Sequence, residues 1–377
     1  MNRVSFPLAA RHRPSGVSVQ PQSDESFADY MARVQRLLAQ VHADQPDSAR
    51  RVAGNAPFEL LPRQEDGCGR RYRRGVLLVH GLSDCPYHLK HIGALLREEG
   101  FYVLAVLLPG HGTQPGDLLW VDWKQWAQTV AFGVAALACR VEEIYLAGYS
   151  AGAALSLHHA AHDPRVRGLF LFAPALAITP RARWANLHRL WSWALPRTAW
   201  LNVLPDEDTY KYESFCKNAA AQMYALTRAL PQTLPLPIFA AASADDATVD
   251  VAALLAFMAR APHPANRLVW YARRNPQRAR VDWVDSYLPQ QRILSFAHTS
   301  IVMPPDDPHY GAHGDYANCL HYAHDAARFA ACRAAATPWY GEIGLIAPDG
   351  VPVRRLTFNP HFAALQMTLR QFIRELP

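Results

Sequence analysis

The sequence predicts an α/β chain, a mostly parallel sheet flanked by helices with a helical insertion over it. Three observations carry that expectation. Short, continuous apolar runs of the kind buried on both faces recur along the middle of the chain. Segments with apolar residues every three or four positions alternate with them. Residues 175–235 then break the alternation, with many aromatics and no obvious strand.

The elements follow in order. Residues 1–22, rich in Arg, Pro, Ser and Gln, read as a loose arm. Over 24–42, Phe27, Met31, Val34, Leu38 and Val41 mark one amphipathic helix, capped by Ser23 or Asp24. Residues 58–62 read as a short strand and Glu65-Asp66-Gly67 as a turn. The α/β alternation starts at 75–80 (GVLLVH), a buried strand. A helix over 86–99 follows, with Leu89, Ile92, Leu95 and Leu96 on one side and Gly100 ending it. Next come a strand at 102–108, a helix at 123–140, and a strand at 144–148 running into a helix at 151–162. Residues 168–173 and 237–242 are further strands. The Arg-rich stretch 272–291 reads as a surface loop, and 342–347 with 351–358 as a hairpin around Pro348-Asp349-Gly350. Asn359-Pro360 opens a last helix with Phe362, Leu365, Leu369, Phe372 and Leu376 on one face. There is no internal repeat. The chain therefore divides into an arm and helix (1–56), an α/β core (57–174 and 236–377) and an aromatic-rich insertion (175–235).

Composition excludes several classes. Of 377 residues half are hydrophobic and 19% charged, so a large core can form and global disorder is excluded. The net charge is +6, but the Arg residues are scattered, which does not make a nucleic-acid footprint. The longest charge-poor stretch, 144–162, holds Gly148, Ser150, Gly152 and three His, so no integral membrane segment is expected. The apolar patch at 4–10 contains Pro7 and is a poor export signal; a cytoplasmic location is expected. Six Cys without a CxxC pair argue against a disulfide scaffold. Cys319 and Cys332 would pair if the protein were exported; buried free thiols are the favoured reading.

Gly148-Tyr149-Ser150-Ala151-Gly152 is G-x-S-x-G between an apolar strand and a helix. Such a turn forces its central residue into a strained conformation that only small neighbours permit. It holds the Ser150 hydroxyl at the carboxyl edge of the sheet, in front of a helix N-terminus. Ser150 is read as a nucleophile rather than part of a plain Gly-rich turn. His80-Gly81-Leu82 follows a buried strand, where the chain can bend to aim the next N–H at that serine. The backbone N–H groups of Leu82 and Ala151 are the expected oxyanion pair, with His80 bracing the loop.

These motifs, with Leu108-Pro109-Gly110-His111-Gly112 and the stretch 110–126 (GHGTQPGDLLWVDWKQW), resemble the serine α/β-hydrolase superfamily, in its bacterial carboxylesterase and monoacylglycerol-lipase-like branch. The resemblance covers 75–174 well and 237–298 less closely. It implies an α/β-hydrolase fold with a lid inserted at 174–235, an acid after the next strand, and a His after a later one. Strand 237–242 (PIFAAA) is followed by Asp245 and Asp246. The family pattern has an aliphatic residue three places after the acid, which favours Asp246 (with Val249) over Asp245 (with Thr248). Asp250 reads as a helix cap. For the base, His298 ends the strand-like run 292–297 (RILSFA). Residues 267–272 (RLVWYA) fit equally as the strand before the His, and His309 or His313 are the alternatives.

His309, His313, Asp315, Cys319, His321 and His324 crowd one segment, but their spacing matches no standard zinc pattern. A His-rich loop is expected there, with no metal or cofactor. His111 reads as structural, and His158 and His159 as pointing away from the chemistry. The aromatics of the insertion are expected to wall an acyl pocket. The implied reaction is two-step acyl transfer on a small-molecule carboxylic ester with an apolar acyl group, medium-chain or monoacylglycerol-like. The same triad would serve a thioester or an amide, and a non-catalytic binding protein is the alternative outside enzymes. The oligomeric state is left open.

Overall fold

A computed structural model describes residues 6–63 and 71–376. The expected turn at Glu65-Asp66-Gly67 and the start of the apolar patch at 4–10 lie outside them.

The described chain begins with helices α1 (Phe27–Val41) and α2 (Ser48–Asn55) and strand β1 (Phe58–Leu60). The alternating part follows: β2 (Tyr72–Val79), α3 (Lys90–Glu98), β3 (Phe101–Val106), α4 (Trp123–Ala138), β4 (Val141–Tyr149), α5 (Ala151–Ala160) and β5 (Val166–Phe172). The insertion holds short strands β6 (Trp200–Asn202) and β7 (Phe215–Cys216) and helix α6 (Lys217–Arg228). Then come β8 (Ile238–Ser243), α7 (Val251–Arg260), β9 (Arg267–Ala272), β10 (Val281–Asp285), α8 (Ala326–Ala334), β11 (Trp339–Gly341), β12 (Val353–Arg355) and α9 (Phe362–Arg374).

Eight strands form one sheet in the order β1-β3-β2-β4-β5-β8-β9-β10, parallel throughout except for β1 against β3. Each central strand is apolar on both faces because each face has its own core. In β2, Leu77 and Val79 pack with α1, α4, α5, α6 and α7, whereas Val76 and Leu78 pack with α3 and α9. Burying each such side chain contributes about 1.5–3 kcal/mol. The chain leaves β2 for β3 on one side and returns through β4 on the other, so the two connections diverge above β2 and β4. Ligands of open α/β sheets bind outside the carboxyl ends at such a switch point. Register pairs Val79 with Gly148, which sets the loops after β2 and β4 side by side.

Several expectations are corrected. The described arm is not loose: Arg11 pairs with Asp206, His12 bonds Ser214, and Ser15 bonds Asp117. The cap of α1 is Ser26, whose hydroxyl accepts from Asp29 N–H at 3.1 Å, rather than Ser23 or Asp24. The Arg-rich stretch 272–291 is not all loop, because β10 pairs in parallel with β9 at the sheet edge. Residues 292–297 form no strand; Ile293 makes isolated bridges to Leu288 and Tyr340. The expected hairpin at 342–358 is a parallel ribbon of β11 and β12, which a tight turn cannot connect. Cys319 and Cys332 are joined by a disulfide, not free thiols, because the loop at 319 packs directly on α8. No helix among the described residues is long and apolar enough to cross a membrane.

Candidate active site

Ser150 sits between β4 and α5 with φ 55° and ψ −113°, a conformation costing roughly 1–3 kcal/mol that the surroundings must impose. Its N–H donates to Phe172 O on the neighbouring strand at 2.9 Å, and its carbonyl accepts from Ala175 N–H at 3.1 Å. The flanking glycines are obligatory. A Cβ on Gly148 would lie 2.4 Å from Ala153 N, and one on Gly152 only 1.9 Å from Val79 O. The sharp turn therefore follows from sequence through sterics.

Two further loops converge on that serine. His298, buried in a single 3-10 turn (His298–Ser300), has Nε2 3.0 Å from Ser150 Oγ and Nδ1 2.6 Å from Asp246 Oδ2. Asp246 Oδ1 accepts from the N–H groups of Thr248 and Val249 at 2.8 and 3.2 Å. Burial pushes the Asp246 carboxyl up, but His298 and these two N–H groups outweigh it and leave it below the usual carboxylate value. Asp245 instead accepts from Ser286 at 3.1 Å, and burial raises its carboxyl. Asp250 caps α7.

Of the histidines in the 309–324 segment, His321 lines the cavity above Ser150 and the others do not. His309 is engaged by Asp208 and Asp315, and neither it nor His313 lines the cavity above Ser150. Cys319 is committed to its disulfide. Among the described residues no group of three or more His, Cys, Asp or Glu is placed to hold a metal ion. His80 Nε2 accepts from Leu108 N–H at 3.0 Å, and burial, then neighbouring His111, keeps its imidazole well below the usual value. His80 is thus a neutral brace.

Ser150 and His298 open into a cavity of about 800 Å³. Leu82 and Ala151 lie in its floor, with Ile178, Leu201, Leu204, Phe215 and Met223 from the insertion among its apolar walls. Of the insertion's aromatics, Tyr212 and Phe215 line this cavity, and its tryptophans do not. Trp184, Trp191 and Trp193 lie outside it, Trp193 at 82% exposure, and Trp200 is buried edge-on against His12.

Local patterns missed several groups at the site. Tyr149 donates its hydroxyl to His298 O at 3.1 Å. Asp84, buried under Gly81, is paired with Lys211, which lines the cavity. Glu342 accepts from His298 N–H and pairs with Arg355. Each contact spans long stretches of chain, so only the charge of an otherwise apolar segment could have signalled it.

Residues 70–231 match the family profile described as serine aminopeptidase, S33. A thermostable monoacylglycerol lipase of Bacillus sp. (strain H-257) is 33% identical over 95 residues, 25% of this chain and 38% of that protein. Similar solved structures include that titled for LipS and LipT, two metagenome-derived lipolytic enzymes (20% identity, TM-score 0.48, 58% of this chain and 87% of that one). Another is a Paleococcus ferrophilus monoacylglycerol lipase (18%, TM-score 0.45, 59% and 92%). The chain resembles the serine α/β-hydrolases in their monoacylglycerol-lipase-like branch, and the curated relative is matched over less than half its length.

One wall residue of the cavity carries a pH signature. Burial, then the charge of Asp208, pushes Glu213 up to about 7, against bonds from Tyr316 and Glu207 N–H. The folded protein therefore keeps this proton after the unfolded chain has lost it, and stability falls as pH rises from about 4.3 to about 7. Glu213→Gln is neutral throughout, so its gain in Tm over the native chain should be small at pH 5 and about 2–4 °C at pH 8. Equal gains in thermal unfolding at both pH values would contradict this.

Proposed function

We propose that this chain is a serine hydrolase that cleaves carboxylic esters with an apolar acyl group through an acyl-enzyme. The observation that carries the reading is the continuous Ser150–His298–Asp246 line, at 3.0 and 2.6 Å, opening into an apolar-walled cavity. His298 Nε2 takes the hydroxyl proton as Ser150 Oγ attacks the ester carbonyl, and then gives it to the leaving alcohol. Asp246 holds the imidazole with Nε2 free to accept and stabilises its charged form. The N–H groups of Leu82 and Ala151 bind the oxyanion, at the N-terminus of α5, where the helix dipole favours negative charge. Water, activated by the same imidazole, then releases the acid. Residues 175–235 act as a lid whose inner face sets acyl length, while 57–174 and 236–377 form the catalytic core. The Cys319–Cys332 disulfide favours an oxidising compartment over the cytoplasm expected from the N-terminal patch.

A panel of p-nitrophenyl esters of graded chain length, run beside acyl-CoA and anilide substrates, tests the substrate class. Esters should dominate; faster thioester or amide turnover would reassign the same triad to those bonds. The cavity wall is tested by Met223→Trp, which fills space from α6. It should lower kcat/KM at least tenfold for long-chain esters and change it less than threefold for acetate and butyrate esters. A parallel change at all lengths would remove α6 from the acyl pocket.

A further inference from the structure

The ribbon of β11 and β12 lies C-terminal to every group in the proposed reaction, yet it reaches the site: Arg355 lines the cavity, and Glu342 lies behind it. Leu294 N–H donates to Tyr340 O and Glu342 N–H to Ser295 Oγ, which fastens β11 along the segment leading to His298. Register pairs Gly341 with Arg355, so Glu342 and Arg355 leave the ribbon side by side. Glu342 is buried at 3% exposure.

We propose that Glu342 and Arg355 are positioning residues, an ion pair with a buried carboxylate and a partly exposed guanidinium at the cavity wall, that locks the loop carrying Asp246 to the loop carrying His298. The proposal rests on the assignment of Ser150, His298 and Asp246 above. One oxygen, Glu342 Oε2, accepts from His298 N–H at 3.1 Å and from Ala247 N–H at 3.3 Å. It therefore joins the base to the residue directly after the acid. Arg355 donates through Nε to Oε1 at 2.6 Å and through Nη2 to Oε2 at 3.0 Å, the two-pronged grip that orients a carboxylate in one plane. The same Nη2 reaches Thr248 Oγ1 at 2.6 Å, so the acid loop is held at two successive residues.

The chemistry of the pair suits this task. Three donors meet on Oε2, and Oε1 accepts from Ile343 N–H as well as from Arg355. Only a carboxylate offers acceptor capacity on both oxygens; an amide replaces one of them with a donor. Buried without Arg355 the anion would be costly, and without Glu342 so would the cation. Neither loop is held by regular structure, since His298 lies on one 3-10 turn and residues 244–250 form no helix or strand. A displacement of about 1 Å between reacting groups costs roughly 100-fold in rate.

The test uses the full chain with E342Q, Arg355→Met and Arg355→Lys, reading kcat and KM on one p-nitrophenyl ester, the rate of fluorophosphonate labelling, and thermal unfolding. Glu342 does not line the cavity, so E342Q should lower kcat and the labelling rate about 10- to 100-fold with KM within threefold. Arg355→Met should lose at least tenfold in kcat, and Arg355→Lys, which keeps a cation beside Glu342, should recover at least threefold of it. A folded E342Q that labels at the native rate overturns the proposal, as does R355K no more active than R355M. If E342Q does not fold, the Met and Lys pair decides by the same criterion together with KM: because Arg355 lines the cavity, a loss that falls on KM rather than on kcat would make it a substrate contact and overturn the proposal. Native protein that labels no faster than Ser150→Ala would overturn the triad assignment itself; native labelling with an unaffected E342Q overturns only the clamp.

Discussion

Ser150→Ala is expected to lower ester hydrolysis by about 10⁶-fold and to abolish covalent labelling by a fluorophosphonate. The fold should persist, because the turn is imposed by Gly148, Gly152 and the bonds of the Ser150 backbone rather than by its hydroxyl. What is lost is the Oγ that lies 3.0 Å from His298 Nε2 and that would form the acyl-enzyme. Rate that survives would come from the Leu82 and Ala151 N–H groups acting on a bound ester, without covalent catalysis. Labelling that continues in the folded variant, or a loss under tenfold, would remove Ser150 from the chemistry. A binding protein of the same fold is distinguished at once, since it would show no Ser150-dependent labelling.

Asp246→Asn should cost about 10⁴-fold in kcat, whereas Asp245→Asn should change it little. An amide at 246 can donate to His298 Nδ1, which moves the ring proton to Nε2 and leaves nothing to accept the proton of Ser150. Asp245 is turned toward Ser286 and away from the imidazole, so neutralising it touches no reacting group. Steady-state kinetics of both variants on one ester, with thermal unfolding to verify folding, separates the two carboxylates. The reverse order of effects would transfer the acid role to Asp245.

Much of this was legible along the chain. Local sterics dictate the strand, the strained serine and the helix behind it, so G-x-S-x-G with its flanks located Ser150. The resemblance to the serine α/β-hydrolases implied the chain order that narrowed the candidate acid to two neighbours and the candidate base to three histidines. Adjacent Asp245 and Asp246 differ along the chain in little but the residue three places on, Thr248 or Val249, which favours Asp246; packing is what turns it toward an imidazole 52 residues away. Residues 342–347 and 351–358 read as a hairpin for a similar reason, whereas the strands are 339–341 and 353–355 and run parallel. A short apolar run separated by a turn signal looks the same whether it pairs with its neighbour or follows a parallel path back.

The insertion shows the boundary most clearly. Its aromatic richness was plain, but composition carries no direction. The structure faces Trp184, Trp191 and Trp193 outward and leaves Phe215 and Met223 to wall the cavity. By itself, then, the sequence determined the α/β alternation, the buried strands and the serine turn, since these depend on periodicity and on clashes within a few residues. Tertiary structure alone decided that Cys319 meets Cys332 and that Glu342 and Arg355 join the loops carrying Asp246 and His298. Those pairings join residues far apart in sequence, and their geometry is set by how the elements pack, which no local pattern encodes.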